Sequence, residues 1–464
     1  MPAPYIPETI TVHLGRPNDP SAENVTVSFR DYIKNVASSE LYPTWPDAAL
    51  RANILAIISF TLNRIFTEWY PSQGYDFDIT NSLQYDQSFH KGRDIYEPIA
   101  QIVDEIFNEY ISRQGSVEPL FAVYCDGKDV ADCGGLTQWG TVDLANQGLG
   151  AYDILTRFYG DDIDIVSADI RENEPSYPGR PLELGDGGND VVRIRRELNR
   201  ISRNYPAIPK IPTEGTVFDS ATQEAVKKFQ EIFNLPVTGV IDKSTWYKIN
   251  YIYASVKKLS DLASEGIAIG ELEGTFPDRL APGASGTAVR ILQYYLAVVG
   301  AYYSNVMPVD ITGTFDAKTE NSVRSFQQVF GLPETGIVDR ETWNNIEDAY
   351  LGIAENAPLT ETEENPVLFP GTILTQGMTS PYVRIMQEYL TYLHSFYPSI
   401  HEVQNTGFFG PVTKQAVTEF QRIFGIPQNG NIGAETWNRI TEIYDEHKYG
   451  YVKRPGQNPG YTIS

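Results

Sequence analysis

TGTFDAKTENSVRSFQQVFGLPETG, residues 312–336, decides how the last three fifths of this chain fold. Val323, Phe326 and Phe330 fall at i, i+3 and i+7, the apolar stripe of a short amphipathic helix. Gly313 marks a turn before it. Gly331, which tolerates the left-handed conformation, ends it, and Leu332-Pro333 prevents continuation. The same string recurs on both sides. Phe229-Gln230, Phe326-Gln327 and Phe420-Gln421 are 97 and then 94 residues apart. The same two offsets relate Phe218, Phe315 and Phe409, and the pairs Thr245-Trp246, Thr342-Trp343 and Thr436-Trp437. They also relate Val192-Arg193, Val289-Arg290 and Val383-Arg384. Spacing kept over such a length means one folded unit used three times. The turns at Gly215, Gly313 and Gly407, the Thr/Asn-Gly turns at Gly239, Gly336 and Gly430, and the helix opened by Thr-Trp complete the unit. Each copy therefore reads as a small all-α, three-helix module. Multiplied modules give a chain avidity for a repetitive target or build an extended object.

These residues resemble the peptidoglycan-binding domain type 1 family, over about residues 182–255, 279–353 and 368–447. The second copy matches its pattern best; the first places Arg196 where a Gln is expected, and the third has Asn429-Gly430-Asn431 at the Thr-Gly turn. The resemblance implies peptidoglycan, through its glycan or its stem peptide, as the partner. The Phe, Trp and Leu of the motif are core residues in the plainer reading, and they show fold more surely than ligand.

Residues 1–170 are a different, α+β domain. Residues 10–14 alternate as a strand, with residues 25–29 as the hairpin partner. Thr44 is placed to cap a helix with Pro46 in its first turn and Asp47 at capping-box spacing; that helix runs to about Trp69, its apolar face on Leu50, Ile54, Ile57, Ile58 and Ile65. The stretch DYIKNVASSELYPTWPDAALRA (residues 31–52), followed far downstream by GLTQWG (residues 135–140), resembles the stage II sporulation protein D family. The resemblance implies a wall-remodelling domain of the lytic transglycosylase kind, with Glu40 as catalytic acid and base. It also makes Tyr42, Trp45, Gln138 and Trp139 candidate substrate-binding residues. A carboxyl that first protonates a glycosidic oxygen and then accepts a proton benefits from a raised pKa. The plainer reading is a solvated Glu40 at a helix end. Departures from the family are Asp132-Cys133 where it has His-Gly, and a segment, residues 78–89, without His or Cys. The five histidines have no ligand spacing, so no metal and no cofactor are expected.

A net charge of −24 argues against nucleic acid and against docking on anionic lipid. The longest apolar stretch, residues 52–62, is too short to span a bilayer, so no membrane insertion is expected. Two cysteines, Cys125 and Cys133, exclude a disulfide-dense scaffold; they are either paired or free. The opening residues Met1-Pro-Ala-Pro-Tyr5 have neither a basic nor an apolar leader region. With a wall-binding resemblance, that points to the cell envelope or a spore surface, with synthesis in a mother cell. Residues 171–181, 259–285 and 354–366 read as semi-stiff connectors, and residues 448–464 as a Gly/Pro/Tyr-rich tail. Three functions fit: a wall-binding protein whose first domain is catalytically degenerate, an active transglycosylase using Glu40, and a subunit that self-associates into a layer or filament.

Overall fold

Residues 49–64 carry apolar or small side chains at nearly every position, and the helix they form is buried all round. A computed structural model describes residues 3–130, 132–212, 216–267, 269–272, 279–303, 305–356, 369 and 373–449. The Gly215 turn, the middle of the second connector, most of the third and the tail from residue 450 lie outside the described residues. The described chain forms two units. The first holds Ala3–Arg113 and Val117–Ile267, and the second holds the last two repeats.

In the first unit, β1 (Ile6–Pro7) and β2 (Thr9–His13) lead into β3 (Asn24–Ser28), then α1 (Phe29–Glu40) and α2 (Asp47–Phe66). β4 (Ile79–Thr80), α3 (Glu97–Ile106), β5 (Glu109–Arg113), β6 (Tyr124–Cys125) and β7 (Leu136–Thr137) follow. Then come α4 (Gln138–Asn146), α5 (Ala151–Tyr159), β8 (Ile163–Ser167) and β9 (Ile170–Arg171). The sheets are small: β3-β2-β4, the antiparallel pair β5-β8, and the parallel pairs β1-β9 and β6-β7. The expected hairpin is β2-β3, paired Thr9 to Ser28 through His13 to Asn24.

The core surrounds α2, which has no polar face. By length and composition the segment Asp47–Gln73 would pass for a membrane span, but 83% of its most apolar window is buried. It is the core helix of a folded unit. This corrects the expectation of a one-sided stripe: Leu55, Ala56, Phe60 and Leu62 are as buried as the predicted face, while Ile65 is only half-buried. Its N-terminus also differs. Pro46 is the N-cap, with no side-chain hydrogen bond, and Thr44 is exposed. Asp47 pairs with Arg51 one turn on (2.8 Å) instead of closing a capping box.

Each repeat contributes three helices: α6 (Asn189–Asn204), α7 (Ser220–Ile232) and α8 (Lys243–Lys257); α9 (Thr287–Tyr302), α10 (Ala317–Val329) and α11 (Arg340–Asn356); α12 (Pro381–His394), α13 (Pro411–Ile423) and α14 (Ala434–Tyr449). Single β-bridges accompany them, Leu182 to Ile241, Leu280 to Val338 and Leu374 to Ile432, a feature the all-helical expectation lacked.

A glutamine clasp explains the repeated Phe-Gln. Gln327 Nε2 donates to Ile337 O (2.9 Å), Thr335 Oγ1 and Thr342 Oγ1, while its Oε1 accepts from Gly336 N (2.8 Å). One buried amide thus ties a helix to the following Thr-Gly turn and to the start of the next helix. Gly336 has φ +69°, so the turn demands glycine. Gln230 and Gln421 repeat the pattern; in the third copy Asn429 Oδ1 replaces the threonine hydroxyl (2.9 Å). The first helix of the module uses the same device. Gln293 bonds Thr314 O, Thr319 Oγ1 and Gly313 N, and Gln387 bonds Phe408 O, Thr413 Oγ1 and Gly407 N.

In the first copy the residue at that position is Arg195, not Arg196. Its guanidinium donates to Val217 O (2.5 Å), Pro212 O (2.7 Å) and Asp219 (3.3 Å). The buried positions Val191, Ile194 and Leu198 correspond to Val289, Leu292 and Leu296. The first copy's opening helix is therefore displaced by one residue from the 97-residue offset. Val192-Arg193 imitates Val289-Arg290 in letters but not in phase.

Replacing Gln327 by Ala leaves the buried Gly336 N–H unpaired and removes the amide donor from Ile337 O, which keeps only the Thr335 hydroxyl. The second repeat is expected to lose about 3 kcal/mol. A denaturant midpoint for the second unit within about 0.5 kcal/mol of wild type would show the clasp to be dispensable.

The first connector and the start of the second are packed rather than free. Within the first unit, Glu68 accepts from Ser176 N (2.9 Å) and from Asn250 Nδ2 (3.0 Å), and Trp246 Nε1 donates to Ser176 Oγ. Asn63 Nδ2 donates to Leu259 O (2.8 Å), and the buried Glu118 accepts from Ile267 N and Ser264. Residues 171–181 and 259–267 are knitted between the first repeat and the α2 region. In the second unit, Asn438 Nδ2 donates to Ala297 O (2.7 Å), and Lys318 lies between Asp310 and Glu435.

Candidate active site

Glu40 is the last residue of α1, where the chain turns away at Leu41. α1 is capped at its start by Ser28, whose hydroxyl accepts from Asp31 N, and Tyr32, Ile33, Val36 and Ala37 seat it in the core. The Glu40 carboxyl is thereby aimed inward. Oε1 accepts from Ser88 N (2.8 Å), and Oε2 accepts from Gln138 Nε2 (3.4 Å). The Tyr124 hydroxyl lies by the same carboxyl and favours its charged form, although it is buried and makes no hydrogen bond of good geometry. Burial dominates these contacts and pushes the Glu40 pKa up to about 7; Ser88 N and then Tyr124 act in the opposite direction. The residue as a whole is half-buried, at the end of its helix. Tyr32 and Tyr124 face it, each held neutral by burial first and then by nearby carboxylate charge.

The two motif blocks meet here. Gln138 and Trp139 open α4, and Thr137 leads into it without a side-chain cap. Trp45 is 4.9 Å from Trp139, ring centroid to ring centroid, and edge-on to it; Tyr42 is 5.6 Å from Trp45 and 5.8 Å from Trp139. Trp45 is buried, Trp139 half-buried and Tyr42 58% exposed, so the outer ring is the one open to a ligand. Lys128 Nζ sits 3.4 Å over the Trp139 ring. All five residues singled out in the sequence thus lie in one place, and the solvated reading of Glu40 does not hold.

Three contributors were not foreseen: Ser88, Tyr124 and Gln87. Gln87 is fully buried; its Oε1 accepts from Tyr32 (3.0 Å) and Thr61 (2.7 Å), and its Nε2 donates to Ile57 O (3.1 Å). That fixes the chain one residue before Ser88. The cysteines left open by the sequence are bonded, Cys125 to Cys133. No group of His, Cys, Asp and Glu suited to a metal ion occurs among the described residues.

In the repeats, Phe218, Phe315 and Phe409, Phe229, Phe326 and Phe420, and Trp246, Trp343 and Trp437 are all at most 1% exposed. The residues that identify the repeat are those that fold it, and a ligand would have to be met by others.

Residues 187–249, 285–346 and 379–440 match the family described as "Putative peptidoglycan binding domain". The chain carries three such domains. The matched segments start 98 and then 94 residues apart, the same one-residue displacement that burial shows in the first copy. The chain is also similar to N-acetylmuramoyl-L-alanine amidase CwlL of Bacillus licheniformis, 28% identical over 256 residues, which is 54% of this chain. The match covers 63% of that amidase's length. No solved structure matches.

Proposed function

We propose that this protein is held at the cell wall by its three repeats and cleaves peptidoglycan glycan strands as a lytic transglycosylase, with Glu40 as acid and base. The three matched domains and the similarity to a wall amidase support the location, and the paired cysteines fit an oxidising, extracytoplasmic setting. The observation that carries the reaction is the Glu40 carboxyl, raised to about 7 and facing Gln138 beside a Trp-Tyr cluster.

The proton balance is simple. The neutral carboxyl gives its proton to the glycosidic oxygen as the bond from C1 to that oxygen breaks, through an oxocarbenium-like transition state. The resulting carboxylate takes the proton of the muramic C6 hydroxyl as that oxygen closes on C1. The product is a 1,6-anhydro sugar, no water is consumed, and Glu40 is again protonated. A pKa near 7 serves both halves at neutral pH. The exposed ring of Tyr42, backed by Trp45 and Trp139, supplies the apolar face on which a sugar stacks, and Gln138 Nε2 orients the carboxyl.

Muropeptide mass spectrometry on purified sacculi tests this reading. Anhydro-muramyl products are expected from the wild-type chain and not from Glu40→Gln. Absence of products from both, with the chain still sedimenting with sacculi, would leave a wall-binding protein without this activity. Loss of both would shift the reading to self-association.

A further inference from the structure

The Cys125–Cys133 disulfide closes a short loop on the flank of the Glu40 pocket, a place the mechanism above does not use. We propose that this disulfide is the positioning element of the Glu40 site, and that its reduction by a dithiol releases Tyr124 and Gln138 from the carboxyl. The proposal rests on the functional reading above for its meaning in catalysis, but not for its test.

β6 and β7 are two residues each, paired Tyr124 to Leu136 and Cys125 to Thr137. A parallel pair this short does not hold its own register. Yet it carries one whole side of the site. Tyr124 is the first residue of β6, and Gln138 and Trp139 follow β7 directly. Three contacts reinforce the pair: Leu136 N donates to Val123 O (3.0 Å), Trp139 N donates to Asp126 O (3.1 Å), and Tyr159 OH donates to Val123 O (2.9 Å). At Gly135 the backbones come so close that an added Cβ would lie 2.0 Å from Val123 O. The covalent link sits at the open end of this arrangement, joining the last residue of β6 to the chain just before β7.

Between the cysteines, the Asp126 carboxylate accepts from the backbone N–H groups of Lys128, Asp129 and Val130, which folds the loop back and sets Lys128 over Trp139. The disulfide and the Asp126 turn thus fix both the strand pair and the cation above the aromatic cluster. Both cysteines are half-buried, so an external thiolate reaches them. It attacks one sulfur, forms a mixed disulfide and expels the other cysteine as a thiolate. The second thiol of the reagent then displaces the mixed disulfide. The dithiol ends oxidised, and two electrons and two protons reside on Cys125 and Cys133.

The test reads the Glu40 carboxyl directly. In full-length protein labelled with carbon-13 at glutamate side-chain carboxyls, the Glu40 signal is the one absent from Glu40→Gln. Its titration is followed in oxidised protein, in protein reduced under native conditions, and in the Cys125→Ser/Cys133→Ser variant. A midpoint near 7 when oxidised is expected to fall by more than one unit on reduction, as water reaches the carboxyl, and to return on re-oxidation. The serine variant is expected to match the reduced form. An unchanged midpoint in the reduced protein, or an oxidised midpoint already in the ordinary carboxyl range, would overturn the proposal. Native-state reduction keeps the test decisive should the serine variant not fold. A chain without glycan cleavage still gives the shift, and an active chain without the shift leaves the catalytic reading standing.

Discussion

Glu40→Gln is expected to lower glycan cleavage by about 10²–10⁴-fold and at the same time to make the protein more stable above neutral pH. The two effects have one cause. Burial raises the carboxyl from an ordinary 4.5 to about 7, so the native state holds this proton more tightly than the unfolded chain. The stability linked to that difference is fully present below pH 4.5 and is lost as pH rises through 7. Above that, the wild type carries an ionised carboxylate in a poorly hydrated pocket, at a cost of up to about 3 kcal/mol. Glutamine has no such charge and still accepts from Ser88 N. The gap between variant and wild type should open between pH 4.5 and 7 and stay level above. Denaturant unfolding at pH 4 and pH 8 measures it. A solvated Glu40 would give the same gap between variant and wild type at both pH values, and a purely structural one would give the stability change with unchanged cleavage.

How much of this was legible in the sequence depends on what each residue interacts with. The repeats were legible because their clasps are local: Gln327 bonds partners 8 to 15 residues away, so the turn and helix spacing appears as a string. The phase of the first repeat's opening helix was not, because Arg195 replaces a glutamine and Val192-Arg193 offers a false alignment; the bonds of Arg195 and the burial of Val191 and Ile194 correct it. Glu40 and Gln138, 98 residues apart, were singled out by motif, and packing on α2 brings them together. Ser88 contributes a backbone N–H, which leaves no mark on residue type. Tyr124 is one of many tyrosines, and its position depends on a two-residue strand. Burial around α2 was underestimated because a helix with apolar residues on every side presents no periodicity to read.

Asp86→Ala is expected to destabilise the first unit by about 3–5 kcal/mol, the cost of leaving one partner of a buried ion pair behind. Arg64 Nε lies 2.9 Å from Asp86 Oδ1, with both side chains almost fully enclosed. Asp86 Oδ2 also accepts from Tyr70 OH (2.5 Å), Thr80 Oγ1 (2.7 Å) and Thr80 N (3.0 Å). Alanine therefore leaves the guanidinium without its counter-charge, with Tyr85 O (3.3 Å) as its remaining acceptor, and strands three further donors in the interior. The guanidinium remains over Phe60, Trp69 and Phe121, which hold it in place without supplying an acceptor. The network pins the segment whose next residues are Gln87 and Ser88, so it is also what presents Ser88 N to Glu40. Urea unfolding of Asp86→Ala measures the loss, and a change below about 1 kcal/mol would show the pair to be incidental. The sign separates this residue from the one it serves. Removing the Asp86 charge costs stability, because that charge is paired four times over. Removing the Glu40 charge adds stability above pH 7, because that carboxyl is buried with few partners, and such under-satisfied groups belong to sites that do chemistry.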